Sequence, residues 1–562
     1  MSRADLVIRN VRVVDGTGDP SFVGDVEVTD GRISRLGRLP DVDAVEVIDG
    51  TGLVLAPGFV DIHTHYDAQI HFEPLASPSV QHGVTTVLMG NCGFTLAPSK
   101  PDDLAWLVQM LSRVEGMSAD ALAEGVDFRG GSIGDFLDGL GGRIGVNAAV
   151  FVGHAAVRRW VMGDDASTRA ATPAEIEAMA ELVRQGMRDG AIGFSTSQLD
   201  IHADHEGRPV PPNLATAEEI IALSAVLAEF DHGVLECLAR TGSSTFSAED
   251  RELLRRMAEV SGKPVNIQPL TRFPGNPELY REILAFCEEA SEAGHRIMPM
   301  SMINVKGIHF SLADTFMFDE MPTFRSTLTL PIPERIAALS DPEIRSTLRA
   351  ELADTTNRTF IFSMDDVSVA SVTADEHADW VGRSVTDFAA EREVDPLDAL
   401  LDVSLAEDLD TVWVWVRKPH PEDDVARNFL VTHPLTMPGS SDGGAHLATF
   451  CGADYTTRCL IELVPDVLSL EAAIHLLSAK PARMCGFWDR GVIRPGAVAD
   501  LVLFDLDRLA ISPIRWARDF PTGAGRFVFD ADGYVATFVN GRAVIRDGEP
   551  TGELPGTPLK LG

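Results

Sequence analysis

Short runs of alternating apolar and polar residues occupy both ends of the chain. Residues 5–55 contain such runs, separated by turns rich in Gly and Asp, at 6–10, 26–28, 32–36 and 46–48. The C-terminal part repeats the pattern at 500–504, 534–539 and 542–545. A period of two indicates β-strands that bury one face. Because these all-β segments flank an α/β middle, we predict one small β-sandwich built from both termini.

The middle of the chain alternates apolar strands with helical segments. The apolar strands end near His65, Cys92, His154, Ser197, Glu236, Gln268, Ser301 and Asp442. The helices between them begin at recognisable caps, such as the capping-box spacing of Thr216 and Glu219. Eight strands that alternate with helices are what a (β/α)8 TIM barrel requires. We therefore predict an α/β fold, with a barrel at 56–489 and a composite β-sandwich formed by 1–55 and 490–562.

Two segments are longer than an ordinary connection in a barrel. They cover roughly 101–143 and 304–428. Long insertions in compact enzymes usually carry function. We predict that the second segment is the better candidate for a lid over the substrate.

A His-x-His motif follows the first apolar strand of the predicted barrel, where 59–65 reads FVDIHTH. Residues i and i+2 of a strand point to the same face, so His63 and His65 lie side by side. Catalytic groups of a barrel sit at the C-terminal strand ends, and strand 8, which ends at Asp442, closes onto strand 1. Two imidazoles and one carboxylate suit zinc and leave a position for water. The alternatives are core or surface histidines and an Asx-type turn at Asp442.

These motifs resemble the amidohydrolase superfamily, whose first barrel strand ends in His-x-His. The segments 83–94 (GVTTVLMGNCGF) and 441–446 (SDGGAH) resemble strands 2 and 8 of its N-acyl-D-amino-acid deacylase, or D-aminoacylase, branch. The segment 481–501 resembles the stretch that leaves the barrel in those enzymes. The resemblance implies a hydrolase that uses metal-activated water to cleave a linear amide, foremost that of an N-acyl-D-amino acid. At the end of strand 8, Asp442 can also take the proton of the metal-bound water and pass it to the leaving amine, so we predict that it is the general acid and base.

Cys92 lies at the end of strand 2, and the matching cysteine of the resembled deacylases is a metal ligand. A thiolate binds zinc well, and the metal lowers the pKa of the thiol. The alternative for Cys92 is a small buried hydrophobic residue.

The chain departs from its resembled family at the second metal site. Many amidohydrolases hold two metals with a carboxylated lysine on strand 4, but no lysine lies between Lys100 and Lys263. The D-aminoacylases place histidines on strands 5 and 6, and neither strand contains histidine in this chain. Glu236 and Cys237 are the visible substitutes. We therefore predict one zinc ion and treat a second site as doubtful.

The remaining candidates have two readings each. His154 ends strand 3 and either polarises the scissile carbonyl or is structural, and His446 either reaches the pocket or orients Asp442. Arg458 is a candidate for binding a substrate carboxylate through its planar fork, or else forms a surface ion pair. Tyr66 and Ser197 are further substrate-binding candidates. Two histidines lie in the loop after strand 4, where a solvated polar loop is favoured over metal binding as the alternative: His202 and His205.

Composition and charge limit the classes of molecule that the chain is expected to bind. The formal net charge is −37 at pH 7, and the chain offers no basic patch for nucleic acid or anionic membranes. Its six cysteines show no regular spacing, so we expect reduced thiols and a cytoplasmic location. We expect neither a signal peptide nor a membrane span. The expected partner is a small-molecule N-acyl amino acid or related amide, and homo-oligomer formation stays open.

Two rival functions stay open at this point. One is cyclic amide opening, as in hydantoinases and dihydropyrimidinases, although the resembled enzymes usually use the strand-4 lysine that this chain lacks. The other is a catalytically silent scaffold, which the missing strand-5 and strand-6 histidines favour. The intact His63, His65 and Asp442 favour an enzyme.

Overall fold

The computed structural model describes residues 3–303, 307–313, 315–356, 358, 361–447, 449 and 452–561. Its strands are β1 (Ala4–Val13), β2 (Phe22–Thr29), β3 (Arg32–Gly37), β4 (Ala44–Asp49), β5 (Val54–Pro57), β6 (Phe59–Asp61), β7 (Val84–Met89), β8 (Asn147–Gly153), β9 (Gly193–Ser197), β10 (Val234–Leu238), β11 (Val265–Leu270), β12 (Ile297–Ser301), β13 (Ile308–Phe310), β14 (Val367–Ser371), β15 (Val412–Trp415), β16 (Met437–Pro438), β17 (Leu501–Phe504), β18 (Ala510–Ile511), β19 (Arg515–Ala517), β20 (Arg526–Val528), β21 (Ala531–Asp532), β22 (Tyr534–Val539), β23 (Arg542–Arg546) and β24 (Glu549–Pro550).

The helices of the described residues lie mainly between the barrel strands. They are α1 (Pro101–Glu115), α2 (Ala119–Gly125), α3 (Ile133–Leu140), α4 (His154–Met162), α5 (Pro173–Arg188), α6 (Ala217–Ala225), α7 (Ala248–Ser261), α8 (Leu279–Glu292), α9 (Pro322–Leu328), α10 (Ile332–Ser340), α11 (Pro342–Ala353), α12 (Val385–Arg392), α13 (Pro396–Ala406), α14 (Pro421–Thr432), α15 (Tyr455–Leu463), α16 (Leu470–Leu477) and α17 (Ala479–Met484). Within the described ranges, no helix combines the length and the apolar character that crossing a bilayer requires.

The two termini together form one nine-stranded sheet. Its order is β24-β23-β22-β17-β5-β1-β2-β3, and β4 pairs with β1. The termini join where β17 runs antiparallel to β5. Alternate side chains of these strands form a shared apolar cluster that includes Ile8, Val26, Leu55, Leu503 and Phe538. Hydrogen bonding therefore makes the strands of both termini one continuous sheet.

The middle of the chain forms the predicted barrel. Eight parallel strands follow the order β16-β12-β11-β10-β9-β8-β7-β6. The ring closes beyond β16, where Gly443 bridges Thr64 and its carbonyl accepts a hydrogen bond from the His65 N–H at 2.7 Å. Strands that are covered on both faces read as nearly continuous apolar runs, which is why all eight could be located from the sequence. The closure brings the ends of β6 and β16 together.

The long segment 304–428 has a hydrophobic core of its own. The strands β13, β14 and β15 form a three-stranded antiparallel sheet, and helices α9–α13 pack with it. This unit contacts the loop after β16 and the helix α1. The His309 N–H donates to the Thr449 carbonyl at 2.7 Å, and Asp319 pairs with Arg113 of α1 at 2.6 Å. A lid function for this segment stays a prediction, and its position over the strand ends is compatible with it.

Candidate metal centre

Four side chains predicted as metal ligands converge beyond the ends of β6, β7 and β16. The His63 Nε2 lies 3.3 Å from Asp442 Oδ1 and 3.6 Å from Cys92 Sγ. The His65 Nε2 lies 3.9 Å from the same Asp442 oxygen. Ligand atoms of His63, His65 and Cys92 all lie within 4.8 Å of one another. Nitrogen, sulfur and oxygen donors at such spacing form a set that zinc takes in proteins.

The backbone at this site adopts conformations that L-residues seldom take. Cys92 has φ of 57° and Asp442 has φ of 50°. A non-glycine residue in a sparsely populated region costs of order 1–3 kcal/mol and persists only where the fold holds it. Gly444 also has positive φ, and a Cβ there would lie 2.6 Å from the His65 carbonyl carbon. The Ser-Asp-Gly-Gly sequence therefore lets the loop after β16 approach the end of β6 closely.

Burial makes the uncharged forms of these groups favourable without a metal. Burial lowers the pKa of His63 to about 3 and that of His65 well below its usual value, so both imidazoles are neutral. Burial also raises the pKa of Asp442 to about 7 and that of Cys92 well above its usual range. Among the described residues, no Lys or Arg pairs with Asp442. The site thus contains neutral nitrogen donors and acidic groups that have no basic partner. A divalent cation would bind the nitrogen donors and stabilise the ionised forms of the acidic groups.

Glu236 of β10 lies behind His63 rather than among the converging atoms. Its Oε2 accepts the Cys92 N–H at 2.9 Å, and its Oε1 lies 4.0 Å from His63 Nδ1. Because His63 directs Nε2 toward Cys92, its Nδ1 and Glu236 face the other side of the ring. Cys237, the other substitute considered from sequence, is buried in the apolar core of the barrel. The ligand atoms that lie within 4.8 Å of one another thus belong to His63, His65 and Cys92, without Glu236 or Cys237.

Glu115, at the end of α1, is a buried acid of the site that the sequence did not reveal. Its Oε1 lies 3.2 Å from His65 Nδ1, and its Oε2 lies 3.9 Å from His446 Nε2. The His446 ring also packs at 4.8 Å from the ring of Phe316, from the 304–428 segment. No local signal marks Glu115, because it closes an ordinary amphipathic helix. The structure therefore adds an acid from the first long segment, 101–143.

His154 is held in a buried network away from the converging ligands. Its Nδ1 bonds Thr196 Oγ1 at 2.8 Å, and its Nε2 bonds Glu219 Oε1 at 2.9 Å. Both oxygens of Glu219 also accept from Arg158 at 2.5 Å. Both ring nitrogens of His154 are therefore engaged in hydrogen bonds. The Thr216 hydroxyl caps α6, but the Glu219 side chain does not complete the expected capping box because it binds His154 and Arg158.

Removing Glu219 is expected to destabilise the fold. Glu219→Ala leaves Arg158 buried without its partner, and breaking a buried ion pair in this way costs about 3–5 kcal/mol. The denaturation midpoint in guanidinium chloride should fall clearly. The matched control is Glu218→Ala, which removes an exposed carboxylate from the same turn. Equal midpoints for the two variants would show that the network contributes nothing to stability.

His202 lies near the metal centre, contrary to its reading as part of a solvated loop. Its Nδ1 bonds Ser197 Oγ at 3.2 Å, and its ring meets Phe94 edge-on at 5.2 Å. His202 is also close enough to help lower the pKa of His63, although burial has the larger effect. The sequence pattern was wrong here because the loop folds back at the end of β9. His205 lies farther along the loop, at a cavity of about 260 Å³ beside α1.

Two other substrate-binding candidates are engaged elsewhere. Tyr66 is fully buried, and its hydroxyl bonds Ser79 Oγ at 2.7 Å inside the core. Arg458 pairs with Asp454 at 2.9 Å and with Glu462 at 2.7 Å, both on its own helical segment. This is the ion-pair alternative that the sequence left open for Arg458.

Known proteins resemble this chain over its full length. A sequence model of the amidohydrolase family matches residues 46–545. The N-acyl-D-aspartate deacylase of Alcaligenes xylosoxydans xylosoxydans is 30% identical over 576 residues, which cover 100% of this chain and 96% of that protein. These matches confirm the resemblance inferred from the motifs.

Two solved structures share the whole fold. One is N-acyl-D-glutamate deacylase from Bordetella bronchiseptica, complexed with zinc and a phosphonate that mimics the tetrahedral intermediate of its reaction. Its TM-score is 0.69 at 25% identity, with 100% of both chains covered. The other is a D-aminoacylase with a binuclear metal centre, described as showing one-metal activation and second-metal attenuation. Its TM-score is 0.69 at 26% identity, covering 99% of this chain and 100% of that one.

Proposed function

Because this chain belongs to the amidohydrolase family, we propose that it is a metal-dependent hydrolase that deacylates an N-acyl-D-amino acid. The observation that carries the proposal is the convergence of His63, His65, Cys92 and Asp442 at the C-terminal strand ends. That end of a (β/α)8 barrel is where active sites of this fold lie. The full-length similarity to deacylases supports a linear amide as the bond that is cleaved.

We propose that these four side chains hold one zinc ion. Zinc bound there would supply Lewis acidity and lower the pKa of water to about 7. A single ion is supported by the position of Glu236, whose Oε1 faces His63 Nδ1 at 4.0 Å. The strands β10 and β11 also contain no histidine that could hold a second ion. The neutral imidazoles of His63 and His65 keep their lone pairs for a metal without first losing a proton.

Asp442 is the ligand best placed to exchange protons with the substrate. Its side chain is 13% exposed, whereas those of His63 and His65 are each 3% exposed, so it faces the open side of the centre. A carboxylate in that position can take a proton from the attacking water and return it to the leaving amine. His446 lies in the loop that carries Asp442, and we keep it as the alternative base.

Ser197 and His202 form the polar edge that we propose for substrate recognition. The Ser197 hydroxyl oxygen accepts the Leu199 N–H at 3.4 Å and pairs with His202 Nδ1 at 3.2 Å. We propose that the Ser197 hydroxyl donates its proton to Nδ1. In that arrangement His202 carries its own proton on Nε2 and can donate it to an oxygen of the substrate. The 304–428 segment, which contacts His446 through Phe316, is the lid that we propose over this edge.

A panel of amides tests the proposed function. We expect the zinc-loaded protein to release free amine from N-acyl-D-amino acids faster than from their L-enantiomers, as measured by amine derivatisation. Hydantoins belong in the same panel, because faster opening of a cyclic amide would favour the hydantoinase-like alternative. A protein that binds zinc and cleaves no compound of the panel would support the silent scaffold and contradict the proposal.

We further propose a cytoplasmic location. The cysteines that the structure describes are free and buried: Cys92, Cys237, Cys287, Cys459 and Cys485. Unpaired thiols of this kind are typical of reducing compartments. Cys451 lies outside the described residues.

A further inference from the structure

Glu115 joins two segments of the metal centre although it lies on no barrel strand. It is the last residue of α1 and is 1% exposed. Its carboxylate reaches His65, which follows β6, at 3.2 Å. Its backbone carbonyl accepts the N–H of His446, in the loop that carries Asp442, at 2.5 Å. One residue of the first long segment thus touches both sides of the barrel closure.

The surroundings of Glu115 differ from those of a structural buried acid. Glu219, for example, is paired with Arg158. Among the described residues, no Lys or Arg pairs with Glu115, and Arg113 of the same helix binds Asp319 instead. Burying a carboxylate without a cation is costly. Its neighbours are the imidazoles of His65 and His446, which indicates a function connected with them.

The two nitrogens of His65 face different carboxylates. Nε2 faces Asp442 at 3.9 Å, and Nδ1 faces Glu115 at 3.2 Å. A carboxylate this close to Nδ1 favours the tautomer that carries its proton on Nδ1, and this tautomer leaves the lone pair of Nε2 for a metal. Metal-binding histidines commonly have such an outer partner, and losing it typically costs 10–100-fold in metal affinity.

We propose that Glu115 is a positioning residue of the metal centre, supplied by a helix outside the barrel strands. It orients His65 through its carboxylate and holds the Asp442 loop through its backbone carbonyl. This inference rests on the proposed zinc site. It goes beyond the converging ligands because it gives the 101–143 segment a direct function in the centre.

The test measures zinc affinity of the full chain by competition with a chromogenic chelator. We expect Glu115→Gln to weaken zinc binding by roughly 10–100-fold, the usual effect of an outer partner. The thermal midpoint of the zinc-free protein should stay near that of wild type, because the amide fills the same space. The matched control is Glu124→Gln, an exposed position on the neighbouring α2, which should bind zinc like wild type.

Each outcome separates this inference from the proposed function. Wild-type zinc affinity in Glu115→Gln would overturn the inference and leave the proposed function standing. A wild-type protein that does not bind zinc would overturn both. If Glu115→Gln does not fold, Glu115→Asp provides the same comparison, since the shorter side chain withdraws the carboxylate from His65. Replacing zinc by cobalt(II) adds a spectroscopic signature, and an altered ligand-field spectrum in the variant would support a displaced His65.

Discussion

Replacing both His63 and His65 by alanine is expected to remove the metal and the activity together. The two imidazoles are half of the proposed ligand set, and the remaining Cys92 and Asp442 cannot complete a four-coordinate zinc site. Elemental analysis should show a fall from about one zinc per chain, the content of a mononuclear site, to background. Hydrolysis of an N-acyl-D-amino acid should fall to background as well, because water is no longer activated.

The control for the double substitution removes two histidines from the opposite end of the barrel. His232 precedes β10 and His295 precedes β12, so both lie at the N-terminal ends of their strands. The double variant His232→Ala/His295→Ala should keep its zinc and its turnover. Full zinc content in the His63→Ala/His65→Ala protein would show that these residues are not the ligands.

The second large effect is expected at Asp442. An amide oxygen is not basic enough to take a proton from water, so Asp442→Asn removes the proposed general acid and base. Turnover should fall by about 10²–10⁴, the usual contribution of general acid–base catalysis. Most of the zinc should remain, because the imidazoles and the thiol are unchanged. Steady-state kinetics on protein of known zinc content measures both quantities.

Asp466→Asn is the matched control for this change, since Asp466 is exposed after α15. It should turn over substrate like wild type. An Asp442→Asn protein that keeps more than roughly a tenth of wild-type turnover would lie outside the general acid–base range and remove Asp442 from the mechanism. His446 would then be the better base, because both nitrogens of His154 are already bonded.

The barrel and its converging ligands could be predicted because their signals are local. Strands buried on both faces read as apolar runs, and a period of two places His63 and His65 on one face. The position of Asp442 followed from the closure of strand 8 onto strand 1. In the structure the Nε2 atoms of His63 and His65 lie 3.3 Å and 3.9 Å from Asp442 Oδ1.

The parts that escaped prediction depend on tertiary contacts. Glu115 ends a helix whose sequence is ordinary, and only the folding of 101–143 over the barrel brings it to His65. His202 lies in a polar loop that turns back toward Ser197. Glu219 has the spacing of a capping box, but its carboxylate binds the buried Arg158 instead of the N-cap backbone. Local pattern could not show any of these three partners.

The most direct test of the account is a zinc titration of metal-stripped, full-length protein while hydrolysis of an N-acyl-D-amino acid is followed. The account predicts no turnover in the stripped protein, and recovery that saturates at about one zinc per chain, as expected for a single four-ligand site. Undiminished turnover in the stripped protein would contradict the metal-dependent mechanism.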